Sequence, residues 1–230
     1  MLGIIGAMDQ EVNAILTNLK EEKLNEFYTL KFWEGKLNGM SCVVGQSGIG
    51  KVNAARCTQI MIDKFSPTSI INVGSAGALN PELEIGDVVI STSCVYHDAD
   101  LTAFGHPKGY IPGTEDRFIK ADEKLIDSCK KAMGKILNND YKILLGAVAT
   151  GDQFYNDPEV KAELYKEFGA YCDDMEAAAI AHVCYLCKVP FVVVRSISDK
   201  PTSKDKVDFY DFLELASKRC AEFLSVLVST

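Results

Sequence analysis

The chain is poor in arginine: Arg56, Arg117, Arg195 and Arg219 are all it has in 230 residues. It also lacks a basic excess. With 32 acidic against 24 basic side chains the formal charge is −8, which argues against a nucleic acid or an anionic membrane as the main partner. No apolar run approaches the roughly 20 residues of a membrane span. The opening Met1-Leu2-Gly3-Ile4-Ile5-Gly6-Ala7-Met8 has no basic flank, and its apolar run is too short for a secretion signal. No repeat, linker or low-complexity segment is visible. The expected compartment is therefore the cytoplasm. The eight cysteines, at 42, 57, 94, 129, 172, 184, 187 and 220, are expected to be reduced, buried small hydrophobes. At 47% apolar and 24% charged residues the composition is that of an ordinary globular protein. The length suffices for a core without disulfides, and one α/β domain over 1–230 is the simplest reading.

Strand and helix signals alternate. Residues 2–8 read as a strand and 9–20 as an amphipathic helix. Residues 27–34 and 39–45 read as paired strands about a turn at 36–39. A helix over 51–65 ends at Ser66-Pro67. Ser69–Val73 reads as a short strand that opens onto a turn or small-residue cradle, Gly74-Ser75-Ala76-Gly77. Further strands are expected over 86–96, 142–149, 170–173 and 189–197. Helices are expected over 122–137, 158–168, 176–188 and from about 208. The stretch 97–120 is broken by Gly105, Pro107, Gly109, Pro112 and Gly113, and irregular loops of that length are usually functional.

The strongest chemical signal is at strand ends. Val189-Pro190-Phe191-Val192-Val193-Val194 continues into Arg195-Ser196-Ile197-Ser198-Asp199. The β-branched run marks a strand buried on both faces, and ligands of open α/β sheets bind at the carboxyl edge where such strands stop. Asp173-Asp174-Met175-Glu176 and Asp9-Gln10-Glu11 follow two other strands. Each acid taken alone fits a helix cap or a first-turn carboxylate. Three such clusters in one domain point to a proton-handling site.

Other motifs carry less. Gly45-Gln46-Ser47-Gly48-Ile49-Gly50-Lys51 has the spacing of a phosphate loop, but Val52 follows where Ser or Thr would bind Mg²⁺. A glycine turn that lets a ligand approach the backbone is the better reading. Cys184 and Cys187 have C-x-x-C spacing without a second pair, so buried helix outweighs zinc or redox chemistry. His97 and His106 lie in the irregular loop, where His97-Asp98 reads as a hydrogen-bonded pair rather than a catalytic one.

Taken in order, Gly3–Met8 with Glu11, Ser47–Lys51, Gly74–Gly77, Tyr96–Asp100, Gly151-Asp152 with Phe154, Met175–Ala177 and Arg195–Asp199 resemble the 5′-methylthioadenosine/S-adenosylhomocysteine nucleosidase family of the nucleoside phosphorylase superfamily. The resemblance runs from residue 2 into the last helix. It implies a single three-layer α/β/α domain with a mixed central sheet, assembled as a homodimer. It implies hydrolysis of the adenine N9–ribose C1′ bond of methylthioadenosine and S-adenosylhomocysteine, and of 5′-deoxyadenosine as a further substrate. The setting would be methionine salvage and S-adenosylhomocysteine removal, with no metal or organic cofactor.

Carried over by position, Glu11 activates water and Asp199 serves adenine N7, for which it needs a raised pKa. Met175 packs on the ribose and Glu176 binds its hydroxyls. Phe154 stacks on the purine, and backbone groups around Tyr155 read its edge. Ser75, Ala76 and Gly77 line the sugar and water side. Ser198 and Arg195 support Asp199 and Glu176, and Met8 and Ile49 complete the binding set. Phe209 covers the 5′ end, while Leu101, Phe104 and Pro112 reach it from the partner subunit. The chain departs from the family pattern at Asp174, His106 and Tyr155, which bears on the 5′ preference and the purine-edge fit.

Arginine scarcity favours water over phosphate as nucleophile, since bidentate arginines are the usual hold on a phosphate dianion. The apolar Leu101, Phe104 and Phe209 suit a thioether. A futalosine-type nucleosidase and a catalytically idle nucleoside-binding protein are the alternatives. Relative cleavage rates and adenine release separate the three.

Overall fold

Two kinds of apolar run build the centre of the molecule. The computed structural model describes residues 1–136, 141–200 and 209–229. Continuous runs form strands buried on both faces: β1 (Leu2–Gly6), β5 (Ser69–Ala78) and β10 (Phe191–Asp199). β4 (Met40–Gln46) is likewise buried on both faces over 42–45, whereas β3 (Leu30–Leu37) is buried only in part. β6 (Val88–Tyr96), β7 (Ile119–Lys120), β8 (Ile143–Thr150) and β9 (Cys172–Asp174) complete the centre. β2 (Lys20–Phe27) is a charged outer strand. Helices α1 (Asp9–Leu16), α2 (Lys51–Phe65), α3 (Glu123–Met133), α4 (Pro158–Phe168), α5 (Ala177–Cys187) and α6 (Phe209–Leu227) flank the sheet.

The sheet is mixed, as expected, and it closes on part of itself. β5 pairs parallel with β10, β10 antiparallel with β6, and β6 parallel with β8. β8 pairs parallel with β9, and β9 antiparallel with β5. These five strands form a ring. From the same edge of β5 that meets β9, an open arm leaves as β1, β4, β3 and β2.

Local chemistry explains most boundaries. Pro158 opens α4 behind Asp157, whose side chain accepts from the Glu159 N–H at 2.9 Å. α5 is apolar nearly all round because it lies between the sheet and α2. Two expectations change. Gly74-Ser75-Ala76-Gly77 is strand, not turn: small residues let β5 run on between crowded neighbours. β2 was not anticipated, because an outer strand with both faces largely in water shows no alternation. The stretch 97–120 holds one 3₁₀ turn, Thr102–Phe104, and β7.

Phe32 is fully buried, with ring centroids 5.4 Å from Phe65 and 6.0 Å from Phe27. This cluster anchors the open arm. Phe32→Ala is expected to lower the unfolding free energy by about 3–5 kcal/mol, read from urea titration with an unchanged slope. A loss under about 1 kcal/mol would mean that the arm packs without it.

Candidate active site

The site begins where one edge of β5 changes partner. β1 pairs with β5 over Ser69–Asn72, and β9 pairs with it at Gly77 and Ala78. Between them the two strands diverge, and residues 73–76 have no strand neighbour on that edge. A crevice opens there, at the carboxyl ends of β1, β5 and β10, as a change of neighbour in an α/β sheet requires. The cavity has a volume of about 330 Å³.

Glu11 fills the head of the split. It is the third residue of α1 and is buried. Its Oε2 accepts from the N–H groups of Ala7 at 2.8 Å and Met8 at 3.1 Å, and its Oε1 from the Ser75 N–H at 2.9 Å. One carboxylate thus caps α1 and joins the end of β1 to β5. Gly74 is needed beneath it, since a Cβ there would lie 2.6 Å from Oε1.

Glu176 enters from the junction of β9 and α5. Its Oε1 accepts from the Gly50 N–H at 2.8 Å, at the start of α2. Gly50 has φ +99°, a conformation that favours glycine. Asp152 accepts from the next amide, Lys51, at 2.9 Å, and the Lys51 ammonium lies 2.6 Å from Asp98. The group that approaches this glycine turn is therefore a protein carboxylate. A phosphate would find the helix start already occupied by acids, which removes the phosphate-loop reading.

Asp199 ends β10. Its Oδ2 meets the Lys161 ammonium, and its Oδ1 accepts from Ser198 at 3.1 Å. Asp173 and Asp174 also line the cavity. Asp174 accepts from Arg195 Nε at 2.8 Å, from Thr150 at 2.5 Å and from the Ala177 N–H at 3.2 Å. Arg195 continues to Asn72. It supports the site through Asp174 and hydrogen-bonds neither Glu176 nor Asp199.

Burial raises two of the carboxyls. Asp173 is pushed up to about 7, mainly by burial, with Asp199 and Asp174 adding and Lys161 opposing. Glu176 is also pushed up to about 7, mainly by burial and by Asp174, against Arg195 and the Gly50 amide.

Met8, Ile49, Phe154 and Met175 form the apolar side of the cavity, and Ser75, Ala76, Gly77 and Ser198 its strand floor. None of the four arginines lines it. Arg56 contacts Thr29, Arg117 contacts Glu167 and Arg219 stacks over Tyr141. Tyr155 lies outside the lining, 5.5 Å from the His97 ring. Leu101, Phe104 and Pro112 are also off it, and Phe104 is 80% exposed. Phe209, expected over the 5′ end, opens α6, and its side chain lies outside the described ones. A wider groove between α1 and α6 is lined by polar helix-surface residues such as Asn13, Glu214 and Lys218 and holds none of these groups. Among the described residues no His, Cys, Asp and Glu cluster has the geometry of a metal site. No described helix is long and apolar enough to cross a membrane.

The sequence reading missed Lys161, and a signal for it existed. In α4 the covered positions include 161, 164, 165 and 168, the i, i+3, i+4, i+7 stripe of a helix face. A lysine on that stripe needs buried acids.

In the unfolded chain Asp173 and Glu176 ionise near their ordinary values of 3.8 and 4.5. As pH rises from about 4 to about 7 the unfolded chain releases protons that the folded chain keeps, so each group lowers stability across that window and no further above it. Asp173→Asn is therefore expected to gain Tm relative to the unsubstituted protein between about pH 5 and about pH 8. A difference that stays constant or shrinks would show that Asp173 is not buried as a neutral acid.

The chain matches the family model described as the phosphorylase superfamily over residues 1–229. It is 43% identical over 224 residues to the 5′-methylthioadenosine/S-adenosylhomocysteine nucleosidase of an Exiguobacterium species, with 97% of this chain and 95% of that protein covered. The crystal structure of the Neisseria meningitidis nucleosidase of that name, in complex with methylthio-immucillin-A, superposes with TM-score 0.93 at 36% identity, covering 99% and 97% of the two chains. The futalosine hydrolase of Helicobacter pylori superposes with TM-score 0.92 at 34% identity, covering 99% and 97%. With this fold, and with three separate carboxylates drawn into one crevice, the chain belongs to the 5′-methylthioadenosine/S-adenosylhomocysteine nucleosidase family of the phosphorylase superfamily.

Proposed function

We propose that the chain, as one domain over 1–230, hydrolyses the N-glycosidic bond of methylthioadenosine and S-adenosylhomocysteine, and of 5′-deoxyadenosine. The products are adenine and the 5-substituted ribose. The observation that carries this reading is that Glu11, Glu176 and Asp199 line one cavity with an apolar side and no arginine.

The chemistry follows from the positions. Adenine leaves poorly as an anion, so a proton delivered at N7 spreads the charge as the C1′–N9 bond breaks. Asp199, at the end of β10, is the group for that task, and Ser198 orients it. The sugar becomes positively charged as the bond opens, and Glu176 takes its hydroxyls. Met175 and Phe154 pack on ribose and purine. Glu11, fixed by three backbone amides, removes a proton from the water whose oxygen bonds to C1′. One acid on the leaving group and one base on the water is the division of labour of an inverting glycosidase.

The substrate sequence fits methionine salvage and S-adenosylhomocysteine removal, in the cytoplasm. A homodimer gives Leu101, Phe104 and Pro112 their use. Phe104 stands exposed on its 3₁₀ turn, and a second copy would carry this loop to the 5′ end of the neighbouring site. The fit to a futalosine hydrolase supports a second reading, a larger 5′ group, and the ratio of cleavage rates on the two substrates separates them.

Adenine release from methylthioadenosine is expected at the same rate with and without inorganic phosphate. Dependence on phosphate would overturn the hydrolase reading. Glu11→Gln and Asp199→Asn are each expected to lower kcat by about 100- to 10,000-fold with thermal unfolding still cooperative. A near-normal rate in either removes that residue's role.

A further inference from the structure

Lys161 is the unexplained residue behind this pocket. Lysine is almost never fully buried unless paired, yet Lys161 is 1% exposed. Its ammonium meets Asp199 Oδ2 and lies 4.0 Å from Asp173 Oδ1. The sheet register fixes this meeting. Gly77 of β5 is the partner of Asp199 on one edge and of Asp173 on the other, so the two acids flank one glycine while α4 lowers the lysine onto it. A Cβ at position 77 would lie 2.6 Å from Asp173 Oδ1 and from Lys161 Nζ, and 3.0 Å from Asp199 Oδ2. Asp173 Oδ1 is buried and has no hydrogen-bond partner among the described residues.

This arrangement sets a problem for the proposed reaction. An ammonium against a carboxylate favours the ionised form, whereas the group serving N7 must give up a proton. The conflict disappears if a proton is stored next door. We propose that Asp173, Lys161 and Asp199 form a relay, in which Asp173 holds the proton that leaves with the purine and Lys161 passes it on to Asp199. The inference rests on the reading of Asp199 as the acid at N7.

The step balances. Lys161 gives one proton to the Asp199 carboxylate and takes the proton of the Asp173 carboxyl. The nitrogen ends as ammonium, Asp173 as carboxylate and Asp199 as neutral acid. Asp199 then protonates N7 as the C1′–N9 electron pair moves onto the adenine ring. The water proton taken by Glu11 returns to solvent, and solvent reloads the cluster after adenine leaves. Lys161 and Asp173 act through Asp199 and are positioning residues.

Burial supports the store, since it pushes the Asp173 carboxyl up to about 7. The groups that face Asp173 are Lys161 from α4, Asp199 from β10, its neighbours Asp174 and Cys172 on β9, and Tyr155 from the loop after β8. Asp174 is already matched by Arg195. Among the described residues Lys161 is therefore the cation within reach of both Asp173 and Asp199.

The test is the pH profile of kcat on methylthioadenosine. Turnover needs one proton shared by the two acids, so the rate falls as pH rises through the titration of the cluster. In Asp173→Asn the proton has no store beside the ammonium, and the alkaline limb is expected to move down by about one pH unit or more. In Lys161→Met the relay has lost its carrier and the plateau kcat is expected to fall, while the acids lose the ammonium that opposes their protonation and the limb is expected to move up. Opposite shifts are not produced by a merely structural pair. Limbs within about 0.3 unit of the unsubstituted enzyme, or shifts in the same direction, would overturn the relay.

If either variant fails to fold, infrared spectra of the unsubstituted protein with ¹³C-labelled aspartate carboxyls decide. A labelled neutral carboxyl band is expected that titrates near neutral pH, and its absence at about pH 6 would overturn the store. Failure of the underlying reading looks different: Asp199→Asn would then keep normal rates at every pH, and the relay falls with it.

Discussion

The molecule depends on how it handles one open seam. β1 and β9 share an edge of β5 and part from each other beside residues 73–76. Strands that part leave amides without partners, and a buried unpaired amide costs about 1–3 kcal/mol. Glu11 takes up that debt. Its carboxylate accepts from the ends of β1 and from Ser75 on β5 at once, so the chain can hold a crevice open inside a hydrogen-bonded sheet. The same carboxylate faces the cavity. Structural repair and chemistry are one placement here, and Glu11 as a helix-cap acid and Glu11 as a site acid were never competing descriptions.

Beneath the crevice lies a second constraint. Arg195 and Asp174 are both buried and joined at 2.7 Å, with Asn72, Thr150 and the start of α5 filling their remaining hydrogen bonds. Breaking such a pair by removing one partner costs about 3–5 kcal/mol, because the other charge stays buried. The pair ties β10 to β9 across β5 and thereby aims Glu176, two residues beyond Asp174, at Gly50. It also uses up the one arginine near the site. An anionic co-substrate would find no guanidinium free to bind it, which is the structural form of the scarcity seen in the composition.

Much of the site was legible before any coordinates. Acids at the ends of apolar runs are costly unless used, and Glu11, Glu176 and Asp199 stood out for that reason. The glycine turn before α2 and the small residues 74–77 were also visible as places of close approach, although whether 74–77 is a turn or a cradle stayed open. A strand of small residues and a turn of small residues share one composition, and only neighbours on both edges show which is present. β2 escaped notice because water on both faces erases alternation. Lys161 escaped notice because its helix reads as amphipathic with or without it.

What the sequence determined by itself is local: which runs must be buried, where helices start and stop, and which side chains carry protons. Those follow from periodicity, capping and the cost of burying charge, all of which act over a few residues. What only the tertiary structure decided is who meets whom. That Asp173 and Asp199 flank Gly77, that Lys161 descends between them, and that Arg195 answers Asp174 rather than Glu176 are facts of register between strands far apart in the chain. Register is fixed by the packing of the whole closed sheet, and no short stretch of sequence contains it.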